Sequence, residues 1–455
     1  MKPGHKFDVE WAFSPRGRSF KGKDQRAPLR DGLTACGQYH TNQAAGRFFP
    51  VACVSLEVTQ RCNMDCTLCY LSDHAEQAYD LPLSILFDRI AMVASHYGRG
   101  TSVQISGGDP TLRKLEDLEA ICGEIRRHGL RSCLMTNGVR ATRDMLKRLA
   151  DAGLDDVAFH VDLTLEHRGY DSEAALNSLR ETFIERAKGL GLRILFNTTV
   201  YDGNVAELPD IAAFFQAHAD DIALASFQLQ ADTGRGTAAE RDRGLTRDRV
   251  KSLLGQGFGT TLEPNVGIGH SECNQYDVLA IAGGQSISLF RNSGLIAEII
   301  EALEANDRST LSIPLFRPML WRAILRNPLL SLRSVGFGLA TLWKLRRGLI
   351  RSRGRVARLS VLVHSFMDAK ALVAERCESC VFMVMTADGP MSMCAFNAER
   401  DTRLFQPVPI HENGATKWWS AATGDVTDAP VATMPTPAPA KNLKGRLRAK
   451  ARAQK

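Results

Sequence analysis

Between residues 49 and 236 the apolar positions follow two periods in turn. Short runs, apolar throughout or at every second position, occupy 51–57, 103–106, 131–136, 156–163, 192–200 and 222–230, and each predicts a strand. Between them, apolar residues recur every three to four positions over 83–97, 115–128, 142–152, 174–190 and 207–218, which predicts amphipathic helices. Strand followed by helix, repeated in order, predicts a parallel sheet, as an open doubly wound sheet or a partial barrel. The loops that carry chemistry then belong at the C-terminal ends of the strands.

The rest of the chain is patterned differently. Residues 1–48 are polar, basic and broken by Gly and Pro, and read as an extension. The repeating unit spans 49–236, a mixed extension 237–400, a tail segment 401–428, and 429–455 a Pro/Ala/Thr linker with a basic end. With 44% apolar and 24% charged residues in 455, the chain is neither disordered throughout nor a membrane bundle. Its formal charge of +7 matches the seven cations from Lys441 to Lys455, so the remainder is nearly neutral. Eleven cysteines are too few for a disulfide scaffold of this length, and nothing in the first 50 residues reads as a signal peptide. A reducing, cytoplasmic compartment is expected, where clustered cysteines point to metal or catalysis.

The cluster that matters is Cys62-x3-Cys66-x2-Cys69, in the loop leaving the first strand. Three thiolates at this spacing can converge on one soft centre, and three ligands on a four-iron cubane leave one iron open. An incomplete zinc knuckle or three unrelated buried thiols are the alternatives. This segment resembles the radical SAM superfamily, whose signature is CxxxCxxC directly after the first barrel strand. A second motif strengthens the resemblance. Ser106-Gly107-Gly108-Asp109-Pro110 at the end of the second strand is similar to the GGEP motif that grips the amino group of S-adenosylmethionine (SAM), with Asp109 where Glu is commoner. The resemblance implies a partial (β/α)6 barrel of TIM type, an α/β fold, with a C-terminal α-rich, Cys-containing extension. It also implies a 4Fe-4S cluster, SAM as cofactor, a one-electron donor of flavodoxin or ferredoxin type, and hydrogen abstraction from unactivated carbon. Gly107 and Gly108 would let backbone approach a ligand closely. Asn137, Asp162 and Arg235 lie where family members place further SAM contacts. No catalytic side chain beyond these is assigned.

Cys273, Cys377, Cys380 and Cys394 form a second set, able to ligate a cluster fully or to bind tetrahedral zinc. The resemblance to SPASM-like extensions, and most of all to the branch containing tetraether lipid synthase, favours an auxiliary cluster. Cys36, Cys53, Cys122 and Cys133 read as isolated buried thiols.

From 308 to 367 there are twelve Arg and Lys and no acid, interleaved with apolar residues that include Trp321 and Trp343. No apolar run reaches the ~20 residues of a spanning helix. The pattern suits an interfacial helix on an anionic membrane, or a hairpin packed on the barrel, and is too apolar for a face that tracks phosphates. The expected substrate is a lipid or isoprenoid, or another small molecule, reached by a peripheral contact at the inner face of the membrane, with no nucleic acid. A SPASM-type peptide-modifying enzyme and a zinc-stabilised nucleic-acid-binding protein are the alternatives.

Overall fold

A computed structural model describes residues 25–431 except 65, 166, 236–244, 306–315 and 413–414, with only the backbone of 316–319 and 411–412. The basic end at 441–455, most of the linker and Arg308 of the acid-free stretch lie outside the described residues. In chain order the main elements are α1 (Arg26–Ala35), β1 (Cys53–Thr59), α2 (Leu83–Tyr97), β2 (Ser102–Gly107), α3 (Leu115–Arg127), β3 (Arg131–Thr136) and α4 (Arg143–Ala152). There follow β4 (Asp156–His160), α5 (Asn177–Ala187), β5 (Arg193–Val200), α6 (Leu208–Ala217) and β6 (Ile222–Leu229). The two sequence periods therefore mark real strands and helices, with bounds shifted by a few residues. β4 stops short of its predicted end because the Asp162 side chain accepts the Thr164 N–H and turns the chain. Helix α4 is closed at both ends by its own sequence: Thr142 accepts the Met145 N–H, and Gly153 follows in the left-handed region.

β1 to β6 pair in order, all parallel. Alternate residues of each strand divide between two cores. Val54, Leu56, Val58, Ile105, Leu134 and Phe159 face the helices, against Leu86, Ile90 and Phe183. Cys133, Ala158, Leu195 and Leu224 face inward, and Leu29, Leu33 and Phe48 from the N-terminal segment pack on them. The segment expected as an extension thus plugs one end of the sheet where it is described.

The C-terminal extension contributes α7 (Arg247–Phe258), β7 (Asn274–Ala282), β8 (Gln285–Ser288), α8 (Ser293–Ala305), α9 (Phe316–Leu325), α10 (Pro328–Lys344), α11 (Arg346–Arg351) and β9 (Ala357–Ser365). It continues with α12 (Ala374–Glu378), β10 (Phe382–Thr386), β11 (Gly389–Ser392), α13 (Met393–Ala398) and α14 (Arg400–Leu404). It is α-rich as expected, and its strands extend the sheet on both flanks, giving the order β11-β10-β1-β2-β3-β4-β5-β6-β9-β7-β8. The sheet curls far enough that its flanks meet: the rings of His364 and Phe366 on the β9 side lie 5.6 and 6.1 Å from that of Phe382 at the start of β10. β12 (Val408–Glu412), β13 (Ala415–Trp419) and β14 (Val426–Thr427) form a separate small sheet.

Candidate functional site

The loop after β1 is held from two sides by backbone. Gly108 N and Asp109 N donate to the carbonyls of Thr59 and Arg61, both at 2.8 Å. A Cβ on Gly107 would stand 1.9 Å from Thr59 O, and one on Gly108 2.0 Å from Arg61 O, so neither position admits a side chain. In this structure the space on the Cβ side of the two glycines is filled by the Thr59 and Arg61 carbonyls. Across the site, Arg235 N donates to Leu71 O at 2.8 Å, and a Cβ on Gly234 would stand 2.2 Å from Tyr70 O. The Gly-Arg pair after β6 closes on the far end of the same loop.

Inside this grip Cys69 is buried, and Cys62 and Cys66 pack on it together with Leu71 and Ala75. Burial pushes the Cys62 thiol up to about 11 and holds that of Cys66 well above its ordinary value, with the neighbouring thiols adding to the shift. Arg235, its side chain fully buried, offers the opposite charge: Nε lies 3.4 Å from Cys69 Sγ, Nη1 lies 2.6 Å from Glu76 Oε1, and Nη2 has no partner. A buried cation with a spare donor beside three thiols fits a group that deprotonates those thiols and carries negative charge. Among the described residues no three His, Cys, Asp or Glu side chains are set for a single metal ion. A cubane takes each thiolate on a separate iron and so holds its ligands farther apart.

The other expected contacts form the floor around the cysteines. Asp109 is fully buried and satisfied within the protein. It accepts from Thr111 N at 2.9 Å, Asn137 N at 2.9 Å and Thr136 Oγ1 at 2.9 Å, tying the end of β2 to the end of β3. Pro110 opens the single turn that Asp109 caps. Ser106 shares a hydroxyl hydrogen bond with Ser55 on β1. Asn137 reaches the cysteine loop, its Nδ2 donating to Asn63 Oδ1 at 2.8 Å. Asp162 is also fully buried, and accepts from Thr199 N at 2.6 Å and from His160 Nε2 at 2.7 Å. Burial would raise its carboxyl, but His160 and the hydrogen bonds outweigh that and hold it below the usual range; burial would lower His160, but Asp162 lifts it above its ordinary value. The chain after Asp162 also grips the loop, through Thr67 N on Thr164 O at 2.9 Å. His160 ends β4 on the face that carries Ala158, and no motif in the sequence marks it.

The Radical SAM superfamily model matches residues 56–215, which run from β1 into α6. This part of the chain is a radical SAM domain. Such domains bind a 4Fe-4S cluster and S-adenosylmethionine. Similar proteins include a PqqA peptide cyclase of Methylobacterium nodulans, 27% identical over 44% of this chain and 55% of its own. An Fe-coproporphyrin III synthase of Methanosarcina barkeri is 31% identical over 44% of this chain and 52% of its own. The chain thus spans about half the length of these relatives. A solved structure described as native anSMEcpe with bound AdoMet shares 19% identity over 45% of this chain and 59% of its own, at a TM-score of 0.36.

Outside the matched residues, the second cysteine set gathers at the seam where β9 ends and β10 begins. The thiol of Cys394 feels those of Cys273 and Cys377, and that of Cys380 feels Cys394 and Cys273. Burial pushes Cys394 up to about 11. Arg376 repeats at this set what Arg235 does at the first: its Nε lies 3.3 Å from Cys273 Sγ, and Nη2 donates to Ser365 O at 3.0 Å. Of the remaining cysteines, Cys53, Cys122 and Cys133 are buried and Cys36 is half-buried.

Two further groups escaped the sequence reading. Arg400, just past the Cys394 helix, buries its guanidinium on Glu57 of the radical SAM domain. Nη1 lies 2.9 and 3.0 Å from the two carboxylate oxygens, and Nη2 donates to Asn397 Oδ1 at 2.7 Å. His364 faces Ser226 Oγ at 3.2 Å through Nε2 and leaves Nδ1 buried without a partner. Burial holds this imidazole neutral down to about 4. An unfolded chain protonates histidine near ~6.5, so the unfolded state takes up the extra proton first as pH falls. Stability from this group is complete above ~6.5 and is lost toward pH ~4, by about 2 kcal/mol at pH ~5. His364→Gln should therefore lose less stability than wild type between pH 7 and 5, measured by urea unfolding; equal losses would show that this histidine is not held neutral by the fold.

Proposed function

We propose that this protein is a radical SAM enzyme acting on an unactivated carbon of a long-chain lipid or isoprenoid. Cys62, Cys66 and Cys69 hold the SAM-binding 4Fe-4S cluster, and Cys273, Cys377, Cys380 and Cys394 hold an auxiliary cluster. When bound and reduced by a donor of flavodoxin or ferredoxin type, the first cluster supplies reductive cleavage of SAM to a 5'-deoxyadenosyl radical, which takes hydrogen from carbon that no acid or base can activate. The observation that carries the reading is the three-thiol loop, which lies within the matched residues and is gripped by Gly107-Gly108 on one side and by Gly234-Arg235 on the other. This chain's own residues position and exclude. Asn137 holds the Asn63 side chain of the loop, the Thr164 carbonyl holds the Thr67 N–H, Arg235 neutralises thiolate charge in a dry site, and the β2 and β3 ends set the floor.

The lipid assignment rests on the apolar surface of the extension, which carries more exposed large apolar side chains than any other described segment. A peptide substrate is the second reading, supported by the likeness to proteins named as PqqA peptide cyclases. That likeness covers 44% of this chain or less, so the choice turns on the extension. The test is transfer of label. The loaded enzyme is incubated with SAM, a reductant and lipids extracted from cells grown in heavy water. The 5'-deoxyadenosine recovered should carry deuterium. Deuterium arriving only from a labelled peptide pool would replace the lipid reading with the second one.

A further inference from the structure

Helix α10 presents an apolar face to water. Leu329, Leu332, Val335, Leu339 and Trp343 recur at spacings of three and four, so they share one side of the helix, and each is between 58 and 69% exposed. Trp321 on the preceding helix is 61% exposed. The opposite side of α10 is already occupied. Leu330 is buried with Leu295 and Ile324, and Thr341 accepts from Arg291, whose guanidinium lies 3.8 Å from the centre of the Phe337 ring. The helix is therefore packed on the domain along one side and apolar along the other, and a contiguous apolar surface of this kind marks a contact surface.

Charge and length identify what it contacts. No acid occurs from 308 to 367, while Arg322, Lys344, Arg346 and Arg347 are exposed, and the Arg346 guanidinium stacks 4.6 Å over the Trp343 ring. Two copies of this face would bring cationic rims together, which disfavours self-association. No helix among the described residues is long and apolar enough to cross a membrane, so the helix would lie in the interface rather than span it. Indole rings at the edges of an apolar strip, with cations beside them, match the layered chemistry of an anionic bilayer surface.

The face also has a defined place on the fold. Gly348, in the short helix that follows, packs against Ala282 O at the end of β7, and Cys273 precedes the other end of that strand. Attachment and Cys273 thus belong to opposite ends of β7.

We propose that the exposed face of Pro328–Lys344, with Trp321 and Trp343 as anchors, docks this protein in the plane of an anionic membrane surface. Because the face lies toward the end of β7 opposite Cys273, the proposal gives the peripheral membrane contact expected from the sequence a location on the fold.

The test is flotation of the full-length, cluster-loaded protein with vesicles of phosphatidylcholine alone or mixed with phosphatidylglycerol. Binding to the mixed vesicles should exceed binding to phosphatidylcholine and weaken with salt. It should be accompanied by a blue shift in tryptophan fluorescence that Trp321→Phe, Trp343→Phe removes. Leu332→Ser, Leu339→Ser, at exposed positions that leave packing intact, should weaken binding about a hundredfold. Lys344→Glu, Arg347→Glu should weaken it on the mixed vesicles only. A chain ending at residue 440 should still bind. Four results would each overturn the proposal: no binding to either vesicle, binding unchanged in the double Leu variant, binding lost with the basic end alone, or a concentration-dependent dimer that the double Leu variant abolishes. SAM cleavage by the unbound protein is measured alongside, and its loss in wild type would count against the cluster reading without touching the docking face.

Discussion

Replacing Cys62, Cys66 and Cys69 together by Ala is expected to abolish reductive cleavage of SAM while leaving about half of the iron bound. Each thiolate would hold a separate iron, and no other cysteine lies in their small buried group to substitute for a lost one. The fold should survive, because the three residues sit in a loop held by backbone hydrogen bonds from Gly108, Asp109 and Arg235, which the substitutions leave in place. Iron that remains would belong to the Cys273, Cys377, Cys380 and Cys394 set, and should give an EPR signal on reduction. Zinc in place of that iron would make the second set a structural zinc site. Undiminished SAM cleavage would remove the first set from the mechanism.

The largest loss of stability is expected from Arg400→Met. Arg400 and Glu57 are 3 and 7% exposed, and the guanidinium also lies 4.7 Å from the centre of the Tyr70 ring and 4.8 Å from that of Phe396. Removing the cation takes away the hydrogen-bonded partner of Glu57 and leaves its carboxylate with Gln60, which donates to it at 2.8 Å, and with the more distant field of Arg89. Breaking one side of a buried pair costs about 3 to 5 kcal/mol. Glu57→Gln, Arg400→Met should cost less than Arg400→Met alone, since the Glu57 carboxylate is then no longer buried without its ion-pair partner. Urea unfolding of the four proteins gives the coupling directly. Losses that simply add would mean that the pair does not couple α14 to β1. The same variant should loosen Tyr70, whose hydroxyl bonds to the Gly107 carbonyl, so effects on SAM binding are expected to accompany the loss of stability.

The part of the fold that was legible in the sequence is the part built from local repetition. β1 to β6 and their helices announce themselves because each unit buries one face by itself, and the two cysteine sets are visible because their spacing is short apart from Cys273. The strands of the extension were not legible. β9 follows directly on a cationic apolar stretch whose helical pattern runs up to it, and its pairing with β6 joins Ser226 to Leu362, far apart along the chain. β10 pairs with β1 across a still longer separation, Cys53 with Phe382. Local period carries no information about such partners. The same limit applies within the site. That Gly107 and Gly108 make room for the Thr59 and Arg61 carbonyls, and that Arg400 answers Glu57, depends on how distant segments dock. Asp109 and Asp162 were marked by their places at strand ends, but their engagement by Thr136, Asn137, Thr199 and His160 became apparent only in three dimensions.

The measurement that bears most directly on the central claim is the yield of 5'-deoxyadenosine and methionine from SAM, after anaerobic reconstitution with iron and sulfide and reduction with dithionite. Wild type should release both products in equal amounts, and the Cys62→Ala, Cys66→Ala, Cys69→Ala variant neither. A reconstituted wild-type protein that holds iron and binds SAM yet forms no 5'-deoxyadenosine under reduction would contradict the account.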